Sequence, residues 1–149
     1  MMGCFFDLRL FFEYINYLIR KISINLMEAQ LQNDYNTAKN IGQQFLQTFF
    51  GKGPVNYANF YGNDSVLTFE AEVFFGQAKI CEKLQNLNLV SNFTNFEVQP
   101  SVGGILIFVS GTCCISGETN QIPFMRVMFL AQANGSYYVK NDIYKITFA

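Results

Sequence analysis

Glu70, Glu72 and Asp142 are the side chains of this chain best placed to do acid–base chemistry. They fall in apolar, aromatic-rich segments of a chain with eight tyrosines, so a carboxylate base with a tyrosine proton donor is chemically available. The competing interpretation is that the acids are solvated strand ends and the tyrosines are buried core phenols. We favour the second interpretation, because the acids are expected at strand ends rather than in the middle of a cavity and the chain has no histidine, and we predict no catalytic residue.

Composition excludes several other catalytic and metal-binding chemistries. The chain has no histidine, so a Ser-His-Asp or Cys-His arrangement is impossible and a zinc site lacks most of its usual ligands. Cys4, Cys81, Cys113 and Cys114 show no C-x-x-C spacing, and we expect reduced thiols in a cytosolic protein. The Gly-Lys-Gly at 51–53 lacks the spacing of a phosphate loop. We therefore expect neither a metal nor a cofactor.

Charge limits the possible partners. The net charge is −1 and no basic tract is present, whereas binding to nucleic-acid phosphates requires clustered lysine and arginine. We therefore expect no nucleic-acid partner. Aromatic residues reach 17% of the chain with 17 phenylalanines, which favours an aromatic-rich cavity or interface.

The first 27 residues differ in composition from the rest of the chain. They are apolar, but charged residues interrupt them at Asp7, Arg9, Glu13, Arg20 and Lys21. A membrane span needs about 20 nearly uncharged residues, and a signal peptide needs a basic start before a clean apolar centre. We expect no membrane partner, an apolar leader over 1–27 (an appended helix or a wrongly assigned start), and one domain over 28–149.

Patterns in 28–149 predict two helices before the first strand and a third helix after it. Asn36 and Thr37 are helix-capping types, and apolar residues follow them at helical spacing until the glycines at 51 and 53. Pro54 suits the start of a short second helix. A third amphipathic helix is predicted around Ile80 and Leu84, after Gly76.

The remaining segments are rich in β-branched and aromatic residues, which is typical of strands. The predicted strands are Val66–Glu70, Phe93–Val98, Ile105–Ile115, Phe124–Ala131 and Tyr137–Phe148. Asn134-Gly135 predicts a tight hairpin, because both central positions of that turn need positive φ. Helices followed by a run of antiparallel strands indicate an α+β fold with helices on one face of a curved sheet.

One face of this sheet is predicted to be covered by a second copy of the chain. Met125, Val127 and Phe129 alternate along one strand and Ile143 follows on the next, which leaves an apolar face exposed to water. We predict a homodimer with two-fold symmetry closed through these residues.

Three segments resemble the nuclear transport factor 2 family. They are IGQQFLQTFF (41–50), SVLTFEAEVFFGQAKICEKLQNL (65–87) and ANGSYYVKNDIYKITF (133–148). The resemblance runs from about residue 35 to the C-terminus, and its L-T-F-E and Y-Y-V-x-N-D-I-Y motifs are specific. It implies a cone-shaped α+β domain in which three N-terminal helices pack on a strongly bent antiparallel sheet and enclose a hydrophobic cavity.

The resemblance also implies a function and its site residues. Family members are homodimers that carry the GDP-bound GTPase Ran into the nucleus, through contacts with FxFG nucleoporin repeats. By resemblance, a Ran phenylalanine enters the cavity beside Phe69 while acidic residues on the rim, Glu70 and Glu118, meet Ran lysines. The aromatic residue that usually binds FxFG falls at Ala38, and Tyr35 is the nearest replacement. The resemblance places Ile143 at the centre of the dimer.

One further departure from the family pattern and two alternative functions remain. The hairpin at 116–118 keeps one acid, Glu118, where relatives often have two or three, which weakens the acidic rim. The same fold serves other interaction modules, such as dimerising domains of RNA-export or stress-granule adaptors, and cavity isomerases and dehydratases. We expect a non-enzymatic transport factor of the cytoplasm, nucleus and nuclear pore.

Overall fold

The computed structural model describes residues 7–51 and 54–147, with side chains described for 7–51 and 57–147. The chain forms two compact units, Met1–Asn36 and Thr37–Ala149. The described residues form two helices and six strands, which are α1 (Leu8–Gly51), β1 (Tyr61–Phe69), β2 (Glu72–Phe75), α2 (Gln77–Leu87), β3 (Leu89–Ser101), β4 (Gly104–Ile115), β5 (Ile122–Ala133) and β6 (Ser136–Ile146). A 3₁₀ helix, Pro54–Phe60, precedes β1. The predicted boundary at residue 27 falls inside α1.

Helix α1 begins at Leu8 because Asp7 caps it. The Asp7 carboxylate oxygen Oδ1 accepts hydrogen bonds from the backbone N–H groups of Arg9 at 2.9 Å and Leu10 at 3.4 Å. The prediction that a helix starts at Asn36 and Thr37 is wrong. Neither proline nor glycine interrupts residues 8–41, and the Asn36 side chain bonds to Gln32 one turn earlier, at 3.1 Å, instead of capping.

The first unit exposes many large apolar side chains of α1. Leu8, Phe11, Ile15, Leu18 and Ile22 recur every three or four residues, the spacing of one helix face. Ile15 and Leu18 are half-buried, and the other three are exposed. Within the part of the chain that the structure describes, no helix is both long and apolar enough to cross a membrane.

The sheet of the second unit confirms the α+β fold. Six strands form one curved, unclosed sheet in the order β2-β1-β6-β5-β4-β3, with helices packed on it. Two details of the prediction are corrected. The second helix is 3₁₀ and the third follows β2, so the helices are not all N-terminal. The sheet is also not wholly antiparallel, because β1 and β6 pair in parallel. These two strands are far apart in sequence, so no hairpin forces them to run in opposite directions.

Two turns form at the glycines where the sequence predicts them. Asn134 and Gly135 both have positive φ, at 50° and 78°, and they join β5 to β6 as predicted. Gly76, at φ 82°, separates β2 from α2, and the predicted third helix is confirmed as α2. The predicted end of the last strand, Phe148, lies outside the described residues.

Close packing of α1 and the sheet requires small residues at contact points. Leu46 and Phe49 of α1 are fully buried in the core of the second unit. A Cβ atom on Gly42 would lie 2.7 Å from a methyl group of Val98 on β3. Glycine at this position therefore lets the helix approach the sheet.

Gly111 is a site where a single added methyl group is expected to be costly. It lies opposite a bulge in β3, between Phe93 and Asn95, where an added Cβ would be 2.0 Å from the Asn92 carbonyl oxygen. Gly111→Ala should lower the free energy of unfolding by at least about 2 kcal/mol, because backbone atoms must move. Urea unfolding measures this change. Gly51→Ala is the control, since no atom lies within 4 Å of the added Cβ, and equal stability of the two variants would contradict the bulge geometry.

Candidate functional site

Glu70, which was predicted to be the last residue of a strand, lies just beyond the end of β1 and turns back onto β6. Strand β1 ends at Phe69, and Glu70 has a left-handed backbone with φ 56°. Its backbone N–H donates to the Tyr144 carbonyl at 3.0 Å, and its carboxylate oxygen Oε1 accepts from the Ile146 backbone N–H. Because its backbone is left-handed, Glu70 does not continue the alternation of side chains along β1. Glu70 anchors the end of β6 through Oε1.

Phe69 is buried beneath a lysine at the predicted cavity mouth. Its side chain is only 8% exposed, and its ring packs edge-on against Tyr144 with centroids 5.2 Å apart. The Lys83 ammonium lies 5.3 Å from the centre of the Phe69 ring and 5.0 Å from that of Phe74, and it pairs with a Glu72 oxygen at 2.6 Å. A partner's aromatic ring therefore meets Lys83 before it meets Phe69.

An open cleft adjoins this lysine. Its volume is about 300 Å³, and Phe74, Lys79, Lys83 and Asn86 are among its lining residues. Neither Lys79 nor Lys83 is among the site residues expected from the sequence. The sequence does indicate their position, because the two lysines are four residues apart on α2 and therefore lie on one face of the helix.

Strand register brings Glu70 and Glu118 to the same end of the sheet. Phe69 at the end of β1 pairs with Tyr144, and Ile146 at the end of β6 pairs with Phe124 near the start of β5. Glu118 lies in the turn that joins β4 to β5, where its N–H donates to the Ile115 carbonyl at 2.9 Å, and it is exposed. This end of the sheet, which we call the acidic end, thus carries Phe69, Glu70 and Glu118.

The interior of the second unit holds a buried ionic cluster. Arg126 donates from Nε to Asp142 Oδ1 at 2.8 Å and from Nη2 to Oδ2 at 2.6 Å. The Tyr61 hydroxyl donates to Oδ2 at 2.6 Å and accepts from Arg126 Nη2 at 2.8 Å. The guanidinium lies between the rings of Phe49 and Tyr144, 4.8 Å and 4.7 Å from their centres.

Tyr61 and Arg126 of this cluster each keep one protonation state at neutral pH. Burial raises the pKa of Tyr61 well above its ordinary value, and hydrogen bonding to Asp142 raises it further. Burial alone would lower the pKa of Arg126, but the adjacent charge of Asp142 raises it well above its usual range. The arginine therefore stays charged, and the tyrosine stays a proton donor.

The candidate catalytic acids are all bonded to other groups of the protein. Both oxygens of Asp142 are bonded to Arg126 and Tyr61, Glu72 is paired with Lys83, and Glu70 is bonded to the backbone of β6. A general base needs a lone pair directed at the substrate, and Asp142 has neither exposure nor a free oxygen. Burial raises the pKa of the Cys81 and Cys113 thiols, which disfavours the nucleophilic thiolate.

The predicted dimer residues share one exposed face of the sheet. Val127 on β5 is directly opposite Ile143 on β6, and both side chains are exposed together with Met125. Ile143 is 49% exposed. Phe129 is half-buried at the edge of the same patch. The structure thus brings all four predicted residues onto one face.

Two residues of this face were missed by sequence reasoning. Leu106 and Phe108 of β4 are exposed and pair with Phe129 and Val127 on β5. The available signal was the unbroken apolar run ILIFV at 105–109, in which both faces of a strand are hydrophobic. Such a run is typical of a strand covered on both sides. We call the exposed apolar residues of β4, β5 and β6 the sheet face.

The predicted nucleoporin residues lie in different environments. Ala38 is 4% exposed and belongs to the core of the second unit. Tyr35 belongs to the first unit and is half-buried. Over the residues that the structure describes, no three cysteine or acidic side chains meet in a way that could hold a metal ion.

Comparisons with known proteins agree with the motifs. A family model described as the nuclear transport factor 2 domain matches residues 37–146. Nuclear transport factor 2 of Davidiella tassiana is 33% identical over 124 residues, which cover 78% of this chain and 97% of that protein. Nuclear transport factor 2 of Saccharomyces cerevisiae is 32% identical over 121 residues, which cover 78% and 97%.

A solved structure gives the same result in three dimensions. Nuclear transport factor 2 from Cryptosporidium parvum superposes with a TM-score of 0.67 and 30% sequence identity, covering 74% of this chain and 94% of that chain. The family match covers almost all of the second unit and none of residues 1–36.

Proposed function

Because the chain belongs to the nuclear transport factor 2 family, we propose that it is a nucleocytoplasmic transport factor and not an enzyme. In this proposal a homodimer binds GDP-bound Ran and carries it through the nuclear pore on FxFG nucleoporin repeats, and the protein resides in the cytoplasm, the nucleus and the pore. The family match over residues 37–146 is the observation that carries the proposal.

The acidic end is the proposed binding site for Ran. Glu70 is half-buried and held by the backbone of β6, so its carboxylate is oriented before a partner arrives. A preoriented charge loses little conformational entropy on binding and adds orientation to the complex. Glu118 at the same end supplies a second, exposed carboxylate for a partner's lysine.

We propose that a Ran phenylalanine packs against the rings of Phe69 and Phe74, beside Lys83. The Lys83 ammonium lies over the faces of these two rings. Since Glu72 is exposed, its ion pair with Lys83 contributes little to stability, about 0–1 kcal/mol. Lys83 can therefore swing aside at small cost when a partner's ring enters.

The sheet face is the proposed dimer interface. An apolar surface of this kind on a monomer marks an interaction site, and a two-fold axis lets the same patch cover itself. The FxFG slot predicted at Tyr35 and Ala38 stays a prediction. Backbone amide shifts of these two residues on titration with an FxFG peptide test it.

Removing one charge at the acidic end tests the Ran site. Glu70→Gln keeps an oxygen acceptor for the Ile146 N–H but removes the negative charge. We expect GDP-bound Ran to bind roughly tenfold more weakly or worse, because hydrogen bonds to charged groups contribute about 1.5–3 kcal/mol. Titration calorimetry of the folded variant with GDP-bound Ran measures the loss.

Two controls accompany this experiment. Glu28→Gln removes one exposed charge from the first unit and should bind Ran as tightly as the parent. The GTP-bound form of Ran should bind the parent more weakly than the GDP-bound form. Equal affinity of Glu70→Gln and Glu28→Gln would show that Glu70 serves only to anchor β6.

A further inference from the structure

The cleft beside Lys83 lies against one face of α2, and we call it the α2 cleft. Phe74 of β2 lines it together with Lys79, Glu82, Lys83 and Asn86 of α2. Residues three or four apart on a helix share a face, so the two lysines and the Asn86 amide stand side by side along α2. An aromatic ring next to a row of ammonium and amide donors can bind an anionic group whose neighbour is apolar.

The two lysines of the α2 cleft differ in their partners. The Lys83 ammonium is paired with a Glu72 oxygen at 2.6 Å. Lys79 is exposed, and among the side chains described at 7–51 and 57–147 none forms a hydrogen bond or an ion pair with it. Glu82 lines the cleft but is paired with neither lysine in that part of the chain. Lys79 therefore brings to the cleft a positive charge that the described residues do not neutralise.

A partner that seats an aromatic ring at Phe69 also covers the α2 cleft. Specific interfaces bury about 800 Å² on each partner, and a circular patch of that area reaches roughly 16 Å from its centre. The Lys83 ammonium is 5.3 Å from the centre of the Phe69 ring. Lys79 lies four residues earlier on α2, which is roughly 6 Å along the helix axis. Both lysines thus fall inside the footprint of a partner centred on Phe69.

Covering Lys79 without a counter-charge would be unfavourable, because its ammonium would lose water and gain no partner. We propose that the α2 cleft receives a carboxylate from the cargo, and that Lys79 pairs with it while the Asn86 amide donates a hydrogen bond. The carboxylate belongs to an aspartate or glutamate close in space to the aromatic residue that packs on Phe69 and Phe74. The inference rests on the proposed function and adds Lys79 to the site as a residue that determines specificity.

The site then recognises opposite charges at two places. Glu70 and Glu118 at the acidic end face lysines of the cargo, and Lys79 at the α2 cleft faces an acid. A cargo docked in another orientation would place like charges together, which costs affinity. A protein that presents the same aromatic residue and lysines without the acid would bind more weakly. Lys79 therefore selects among partners of similar shape.

Zero-length cross-linking tests the contact directly. A carbodiimide condenses a lysine amine with a carboxylate that touches it, which forms an amide bond and adds no spacer. We expect the complex of the full chain with GDP-bound Ran to give a cross-link from Lys79 to an aspartate or glutamate of Ran, identified by mass spectrometry of the digest. Lys79→Arg keeps the positive charge but has no primary amine. It should lose the cross-link and bind Ran within about twofold of the parent.

Reversing the charge tests how much the contact contributes to binding. Lys79→Glu should weaken binding of GDP-bound Ran roughly tenfold or more in titration calorimetry, because two carboxylates then face each other. Lys21→Glu makes the same change of net charge in the first unit and should bind as the parent does. The difference between the two variants should shrink as salt is added, since ions screen exposed charges. Both variants should unfold in urea as the parent does, because both lysines are exposed.

The outcomes separate this inference from the proposed function. If Lys79→Glu binds Ran as tightly as Lys21→Glu while Glu70→Gln binds more weakly, the role of Lys79 is wrong and the transport function stands. That result overturns the inference even where Lys79 is cross-linked, since an exposed lysine can react without contributing affinity. If the folded parent does not bind GDP-bound Ran, the proposed function and this inference are both wrong. A cross-link at Lys79 together with a salt-dependent loss in Lys79→Glu supports the inference.

Discussion

Arg126→Leu should lower the free energy of unfolding by about 3–5 kcal/mol. The change leaves the Asp142 carboxylate buried, 1% exposed, with only the Tyr61 hydroxyl to bond it. An uncompensated buried charge is costly because it has lost its water without gaining a partner. Urea unfolding at fixed protein concentration measures the loss, since a dimer's stability depends on concentration.

A double variant separates a lost ion pair from a packing defect. Arg126→Leu with Asp142→Leu removes both charges and should be more stable than either single variant, because no buried charge is left unpaired. The control is Lys140→Gln, which breaks the exposed pair between Lys140 and Asp64 and should change stability by less than about 1 kcal/mol. A loss for Arg126→Leu no greater than that of Lys140→Gln would contradict the buried cluster.

Ile143→Glu should convert the proposed dimer to a monomer. Two copies of the variant would bring two carboxylates together near the two-fold axis within an apolar interface, at a cost of several kcal/mol. The monomer itself should stay folded, because Ile143 is 49% exposed within one chain. Light scattering across a dilution series measures the mass, and circular dichroism verifies the fold.

Val102→Glu is the matched control for this prediction. It also replaces an aliphatic residue with glutamate, but Val102 is 99% exposed in the turn between β3 and β4, away from the sheet face. It should leave the dimer intact. A parent protein that is monomeric at micromolar concentration, or an Ile143→Glu variant that stays dimeric, would contradict the interface at the sheet face.

Local sequence signals predicted much of the second unit. The hairpin at Asn134-Gly135 follows from the requirement for positive φ, and α2 follows from apolar spacing after Gly76. The motifs around Phe69 and Ile143 also indicated the family correctly. Each of these signals resides within a few neighbouring residues, which is why sequence alone reveals it.

Features that depend on long-range pairing were not predictable. The parallel pairing of β1 with β6 turns Glu70 toward Ile146, and no local pattern around Glu70 encodes that contact. The ion pair between Arg126 on β5 and Asp142 on β6 likewise depends on how these two strands are aligned, and their register shifts between Phe129 and Leu130. The start of α1 was missed because capping residues at 36 and 37 also fit a helix interior when no proline or glycine stops the helix.

The buried cluster also bears on the enzymatic alternative. A cavity isomerase or dehydratase needs a carboxylate that reaches its substrate, whereas Asp142 is bonded on both oxygens and Arg126 lies between two aromatic rings. The acids at the acidic end instead lie where a macromolecular partner can reach them. This distribution of carboxylates favours a binding protein over a catalyst.

Nuclear import of Ran tests the central proposal most directly. Permeabilised cells depleted of cytosol are supplied with fluorescent GDP-bound Ran and with this protein, and nuclear fluorescence is followed over minutes. The parent protein should raise nuclear Ran several-fold above buffer alone, and Glu70→Gln should raise it much less. Nuclear fluorescence no higher with the folded, dimeric parent than with buffer would contradict the assignment as a Ran carrier.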